Sequence, residues 1–419
     1  MRLFLTQIVT CDKMEVLTPQ DWEQKRLRDV CKMYSGSTPS RNDARNFSGK
    51  NMWVSSGELK EKYIYSSKEF ISDKAIADTA LSVMPPGTVI IAIYGLEASG
   101  IRGTASIAAV PCTISQACMG FYDFDNSVCN EYFYYWYIFN GQNIGRRYAQ
   151  GTKQQNLSSE ILSSFPICLP PMAEQRKIAA ILSAQDRVIE LKTRLLEEKK
   201  RLKKYLCQSL LRGKTRIPGY TGVWKRKRLC DIAHRVTARN TKNCNNVLTI
   251  SACDGLVEQE AYFKKEVAGK DKSNYFFLSQ DDYAYNRSSS RGNPYGAIKR
   301  LRKHSSGIVS PLYVCFRMNK ELVDYNYAEY AFDSGVLNKE LGMVVQEGAR
   351  NHGLLNIAIE DFFNCRIELP AYDEQVKIAE ILRVVFCSVE LQEKELEQEK
   401  LKKKAMMQQL LTGKVRVSV

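Results

Sequence analysis

LPPMAEQRKIAAIL, Leu169 to Leu182, and LPAYDEQVKIAEIL, Leu369 to Leu382, are one segment written twice, 200 positions apart. The likeness runs on through LLRGKTRI to Ile217 and LLTGKVRV to Val417, with 22 of 49 positions identical and no gap. Solenoid units are shorter and more numerous, so two copies about one domain apart point to a pseudo-symmetric chain. Its order is variable domain, shared helix, variable domain, shared helix.

Each copy is punctuated as a helix. Pro170 and Pro171 can open a helix but not sit inside one, Glu174 falls in the first turn where the helix dipole favours an anion, and Gly213 follows Leu211 as a stop. Pro370, Glu374 and Gly413 repeat those signals. Ile181, Val188, Leu195 and Leu202 recur every seven residues beside Leu182, Ile189 and Leu196. In the second copy Leu382, Val389, Leu396 and Leu410 do so beside Ile378, Val385 and Met406. Charged flanks such as Glu197 to Lys200 and Glu393 to Lys404 complete a coiled-coil pattern, and the two copies are each other's natural partners. A helix of about 35 residues would be roughly 50 Å long at 1.5 Å per residue.

The frame around the helices also repeats. WEQKRLRDV from Trp22 and WKRKRLCDI from Trp224 open the two domains, and glycine-led segments at Gly151 and Gly348 close them, while the interiors diverge. Thr88 to Tyr94 and Gly307 to Phe316 read as β-rich runs, and Glu131 to Phe139 as a helix or strand dense in aromatics. The expected fold is mixed α/β: an extension over 1–20, a domain over 21–168, a helix over 169–217, a second domain over 218–368 and a second helix over 369–419. At 419 residues the chain can bury two ordinary cores. Its formal charge of +15 favours a polyanionic partner, of which nucleic acid is the commonest. Thirteen scattered cysteines without a CxxC pair write neither a disulfide framework nor a zinc ribbon, which suits a reducing cytoplasm. No run approaches a membrane span, and the apolar start at Leu3 to Leu5 is too short for a secretory segment.

These residues together carry a resemblance. The tandem helix starts, the tryptophan-led domain openings, GSTPS at Gly36 to Ser40, DYAYNR at Asp282 to Arg287 and GIVSPLY from Gly307 resemble the DNA specificity subunit of type I restriction-modification systems, from Trp22 onward. Met1 to Gln20 fall outside it. The resemblance implies a non-catalytic reader of double-stranded DNA with no cofactor. Each domain would recognise half of a split site, and two antiparallel helices would set the gap and dock modification (methyltransferase) subunits, two in number. Restriction (translocase/endonuclease) subunits would join that assembly.

The residues themselves write no catalytic site. Asn293-Pro294-Tyr295-Gly296 lacks the second proline of an adenine methyltransferase's base-gripping segment, and no cofactor glycine loop precedes it. Gly213-Lys214-Thr215 ends a helix, whereas a phosphate loop opens one. His234, His304 and His352 have no metal-ligand spacing. Base reading needs polar and basic residues on loops that can enter a groove. Two stretches qualify: Ser37, Thr38, Ser40, Arg41 and Asn42 in the first domain, and Asn286, Arg287, Ser288, Ser289, Ser290, Arg291 and Asn293 in the second. Lys299, Arg300, Arg302 and Lys303, with Lys225 to Arg228, suit phosphate contacts or surface charge. The competing reading is a coiled-coil scaffold with two protein-binding domains and no DNA role. A fused, self-sufficient enzyme has no chain left to occupy.

Overall fold

The computed structural model describes the chain apart from residues 1–7, 12–13, 18, 97, 99, 150–154, 242, 252–253, 264–268, 270, 291, 351–353 and 419, and gives the backbone alone at 8–11, 14–17, 346–350 and 354. Two compact units result, and the division falls inside both long helices. One unit joins Met1–Thr193 to Glu395–Val419, and the other is Arg194–Lys394. Four helices position the rest: α1, Asn130–Tyr148; α2, Met172–Leu210; α3, Tyr325–Asp333; and α4, Tyr372–Leu410. The long helices begin within two residues of Pro171 and Pro370 and stop before Gly213 and Gly413, which take φ of +63° and +70° at no steric cost.

In the first unit a five-stranded sheet runs in the order Lys32–Ser35, Cys118–Tyr122, Val89–Ala92, Ala105–Ala108 and Tyr63–Ile64. It is antiparallel except at the Tyr63–Ile64 edge. Val89, Ile90 and Ile91 are buried on both faces, each worth about 2 kcal/mol of apolar burial. The aromatic run from Glu131 proves helical: it forms α1, and Tyr132, Phe133, Tyr135 and Tyr137 are fully enclosed in the core. Within the described part of the N-terminal extension, Ile8–Cys11 pairs antiparallel with Met14–Leu17.

The second unit repeats the plan with different residues. Its four-stranded sheet is ordered Ala233–Arg235, Val314–Met318, Tyr283–Asn286, Ala297–Arg300. With the Tyr63–Ile64 edge strand set aside, both sheets place the first strand beside the last and then the two between them in chain order, and a helix closes over the sheet. The interiors have therefore diverged in sequence and kept the order of these four strands. The run from Gly307 is two strands, Ser306–Val309 and Val314–Met318, because Pro311 breaks it and the Tyr313 N–H donates across the turn to the Ser310 carbonyl at 3.1 Å.

The repeated frame is the part that joins domain to helix. Glu23–Arg26 pairs antiparallel with Pro166–Leu169, and Lys225–Arg228 pairs likewise with Arg366–Leu369. Trp22 lies against Gly413 and Trp224 against Gly213, which explains why a tryptophan leads each domain. Buried Glu174 takes a two-pronged bond from Arg416 at 2.8 and 2.7 Å, and buried Glu374 takes one from Arg216 at 2.8 and 2.8 Å. Arg416 also grips Asp21 through both carboxylate oxygens at 2.7 Å.

The helices pack antiparallel inside each unit. In the first, Gln185 donates to the Glu399 carboxylate at 2.8 Å, Lys192 meets Glu395 at 3.0 Å, and Lys403 meets Asp186 at 2.5 Å. In the second, Lys200 meets Glu393 at 2.6 Å and the Lys203 ammonium sits 3.5 Å from the Phe386 ring centre. The seam corrects the expected ladder. Leu182, Leu196, Leu382, Val389, Leu396 and Leu410 are buried and Ile181 and Ile189 half-buried, but Val188, Leu195 and Leu202 are 38, 47 and 51% exposed. The inward face follows Ile178, Leu182, Gln185, Ile189, Lys192 and Leu196 in steps of four and three. The ladder from Ile181 to Leu202 lies one residue round and largely faces solvent.

Candidate nucleic-acid interface

The first polar stretch is a loop whose path is set by close packing. A Cβ on Gly36 would fall 2.0 Å from the Ile114 carbonyl oxygen, so only glycine fits where the chain leaves the sheet. The Ser37 carbonyl accepts from the Trp53 indole at 3.0 Å, Pro39 is buried, and Ser37 and Thr38 are half-buried. Ser40 and Asn42 are exposed. Arg41 is not a free cation. Its guanidinium donates twice to Glu69, at 2.8 and 2.9 Å, over the Phe47 and Trp53 rings, and this bond holds the Glu69 carboxyl below its ordinary range.

The second stretch is the hairpin connection between Tyr283–Asn286 and Ala297–Arg300. Ser290 and Asn293 bond to each other across it, at 3.1 and 2.9 Å, while Gly292 and Gly296 supply φ of +89° and +84°. Ser289 and Ser290 are exposed, and Ser288 and Asn293 are half-buried. Asn286 ends its strand half-buried, and Arg291 lies outside the described residues. Arg287 staples the loop's base, donating to the Ile357 and Leu312 carbonyls at 2.9 and 3.2 Å.

The basic residues after this hairpin need correction. Arg300 is 7% exposed and held by Glu329 at 2.8 Å, Asp281 at 3.5 Å and Asn326 at 2.8 Å. Lys299 is bound to Asp333 at 2.8 Å. Both cations brace the sheet against α3, where burial raises the Glu329 and Asp333 carboxyls above their ordinary range. Arg302 and Lys303 remain on the surface, with Arg302 3.5 Å from Glu329. In Lys225–Arg228, Arg226 and Arg228 bind Glu340 and Asp231, whereas Lys225 and Lys227 have no acidic partner among the described residues.

Topology also reveals a loop the sequence reading missed. The first unit's counterpart of the second hairpin is the connection from Ile93 to Thr104, between Val89–Ala92 and Ala105–Ala108. Gly95, Gly100 and Gly103 all take positive φ there, Tyr94 and Ala98 are exposed, and Glu97 and Ser99 lie outside the described residues. Its signal was the glycine spacing, not polar density. Among the described residues no group of three or more His, Cys, Asp or Glu is placed to hold a metal, and no helix is long and apolar enough to cross a membrane.

Residues 19–201 match the family described as the type I restriction modification DNA specificity domain. The type I restriction enzyme MjaVIII specificity subunit of Methanocaldococcus jannaschii is 24% identical over 95% of this chain and 94% of its own length. The chain is similar to type I restriction specificity subunits along nearly its whole length. The MjaIX specificity subunit of the same organism is 30% identical over 42% of this chain and 40% of its own length, so that match spans about two fifths of the relative. The fold agrees with solved specificity subunits. That of M. genitalium superposes with a TM-score of 0.53 at 13% identity, covering 97% of this chain and 98% of its own. A type I restriction-modification structure reaches 0.57 at 16% identity, covering 95% and 99%.

Proposed function

We infer that this chain is a specificity subunit that reads double-stranded DNA for a type I restriction-modification complex and leaves the chemistry to partner subunits. Each domain would recognise one half of a bipartite site, with the long helices setting the gap. The observation that carries this reading is the duplicated plan: two sheets that share a four-strand order, each with a loop at the same connection, on a chain of net charge +15. Ser289, Ser290 and Asn293 in the second unit, and Tyr94 in the first, are the described polar groups best placed on those loops. Ser40 and Asn42 are a second candidate set. Modification subunits, two in number, would dock on the helices, where Val188, Leu195 and Leu202 offer exposed apolar surface. Restriction subunits would complete the nuclease.

The test is to purify the chain with its modification subunits, map the methylated adenines and measure DNA binding against salt. A split recognition sequence and affinity falling steeply with salt are expected. Binding indifferent to sequence and salt would return the chain to the scaffold reading.

A further inference from the structure

Gln175 and Gln375 hold the same position in the two units and make the same three bonds. Gln175 is fully buried. Its amide nitrogen donates to the Pro170 carbonyl at 2.9 Å and the Ser127 carbonyl at 2.6 Å, and its oxygen accepts from the Cys129 N–H at 2.9 Å. Gln375, 1% exposed, donates to Pro370 at 3.1 Å and Leu322 at 3.0 Å and accepts from the Asp324 N–H at 3.0 Å. Cys129 and Asp324 are the capping residues of α1 and α3, the helices that close over each domain's sheet. Each glutamine thus ties the start of a long helix to the cap of a domain helix.

All six partners are backbone groups. The loops they belong to, DNSVCN from Asp125 and ELVDYN from Glu321, differ, yet the bonds are the same because no side chain of the domain takes part. We propose that Gln175 and Gln375 are positioning residues that fix the angle of each DNA-reading domain on its own long helix, and so restrict the gap lengths the subunit accepts. The proposal rests on the reading of a bipartite DNA site. Two linked domains gain from binding both half-sites only if their geometry spans the gap. A stiff mount therefore rejects sites one base pair too short or too long. A loosened mount tolerates them and binds the correct site less tightly, because more ordering is left to be done on binding. A socket that bonds to backbone alone also lets domains of different sequence be mounted at one angle.

The experiment compares Gln175→Met and Gln375→Met, which keep length and helix propensity, in the full chain assembled with its modification subunits. Methylated sites are mapped for half-site sequence and gap. Both half-sites should stay unchanged, while sites whose gap differs by one base pair rise about tenfold relative to wild type, the scale of one buried hydrogen bond lost. An unchanged sharp gap with merely lower occupancy would reduce the glutamines to structural capping and overturn the proposal. Gln175→Glu, which keeps the acceptor for Cys129 and loses both donor bonds, carries the test if the methionine variants fail to assemble. On the wild-type complex, the Cys129 and Asp324 amides should exchange as slowly as the sheet core, and rapid exchange overturns the proposal without any variant. A wild-type methylation map with no split site would instead sink the DNA reading itself.

Discussion

The two helix seams share a backbone geometry and differ in what fills it. Near the first domain the contact is ionic and hydrogen-bonded: Gln185 with Glu399, Lys192 with Glu395, Asp186 with Lys403. Near the second the matching positions are Val385 and Phe386, Lys203 lies over an aromatic ring, and Lys200 with Glu393 is an ion pair that accompanies this apolar contact. The corners, by contrast, are nearly interchangeable, with Glu174, Gln175 and Arg416 answering to Glu374, Gln375 and Arg216. What the repeat has kept is the joint, and what has drifted is the filling between joints. A joint admits few solutions because its partners are buried polar groups that must be satisfied. A half-exposed helix face tolerates either ion pairs or apolar contacts at similar free energy.

The corners offer the largest effect and the first way to break this comparison. Arg416→Ala and Arg216→Ala each leave a buried glutamate unpaired, at about 2–3 kcal/mol once partial exposure of the arginines is discounted. Arg416 also holds Asp21, so its loss should destabilise the first unit more than loss of Arg216 destabilises the second. Hydrogen exchange read separately over each unit decides it, and equal effects would mean that the Asp21 bonds contribute nothing. Next come the seams. Phe386→Ala, which removes a ring packed 4.7 Å from Tyr330, should cost about 2 kcal/mol and be insensitive to salt. Asp186→Ala should cost about 1 kcal/mol at low salt and less at high salt. Matching salt responses would erase the contrast between the seams.

Acid should separate the units in a set order. In the first, the Arg416 bond lowers the Asp21 carboxyl, the Arg41 bond lowers Glu69, the Gln185 bond lowers Glu399, and Arg45 brings Asp43 to about 2. Carboxyls lowered by folding contribute stability above their unfolded pKa, near 4, that is lost as pH falls through the folded value. In the second unit bonds from Arg228 and Ser273 lower Asp231 and Asp271, but burial raises Glu329 and Asp333, and raised groups favour the fold below their unfolded pKa and lose that contribution as pH rises through the folded one. Lowering pH from 5 towards 3 should therefore open the first unit ahead of the second. Circular dichroism combined with proteolysis would show it, and the reverse order would refute the assignment. The smallest expected effect is at the strands that open the domains. Lys227→Gln should weaken DNA binding evenly across sequences and reduce the salt slope by about one. Lys25→Gln, at a site already tied to Glu23, Asp125 and Ser127, should leave the slope alone.

The long helices were legible because proline and glycine mark their ends whatever the tertiary context. Which face turned inward was not. Two apolar ladders lie one residue apart on α2, and the buried one is interrupted by the polar Gln185 and Lys192. The domains' shared topology was hidden because four-residue buried strands such as Val89–Ala92 and Tyr283–Asn286 meet different neighbours and need no common sequence. Arg300 read as a surface cation because the carboxylates it satisfies, Asp281 and Glu329, are distant in sequence. The Ile93 to Thr104 loop escaped notice because its glycines are informative only once the strands on either side are known to form a hairpin.

The grip of Arg416 on Glu174 and Asp21 has a consequence during biosynthesis. Arg194–Lys394 is one unbroken stretch, so the second unit can close as soon as it has left the ribosome. The first unit cannot. Its opening 193 residues must wait for Glu395–Val419, and at about 5–20 residues per second the 201 intervening residues delay it by roughly 10–40 s. Through that interval Ile178 and Leu182 lack the Met407 and Leu410 that later share their core, and Glu174 has no counter-ion. The nascent chain is therefore most open to chaperone capture and aggregation in the domain made first.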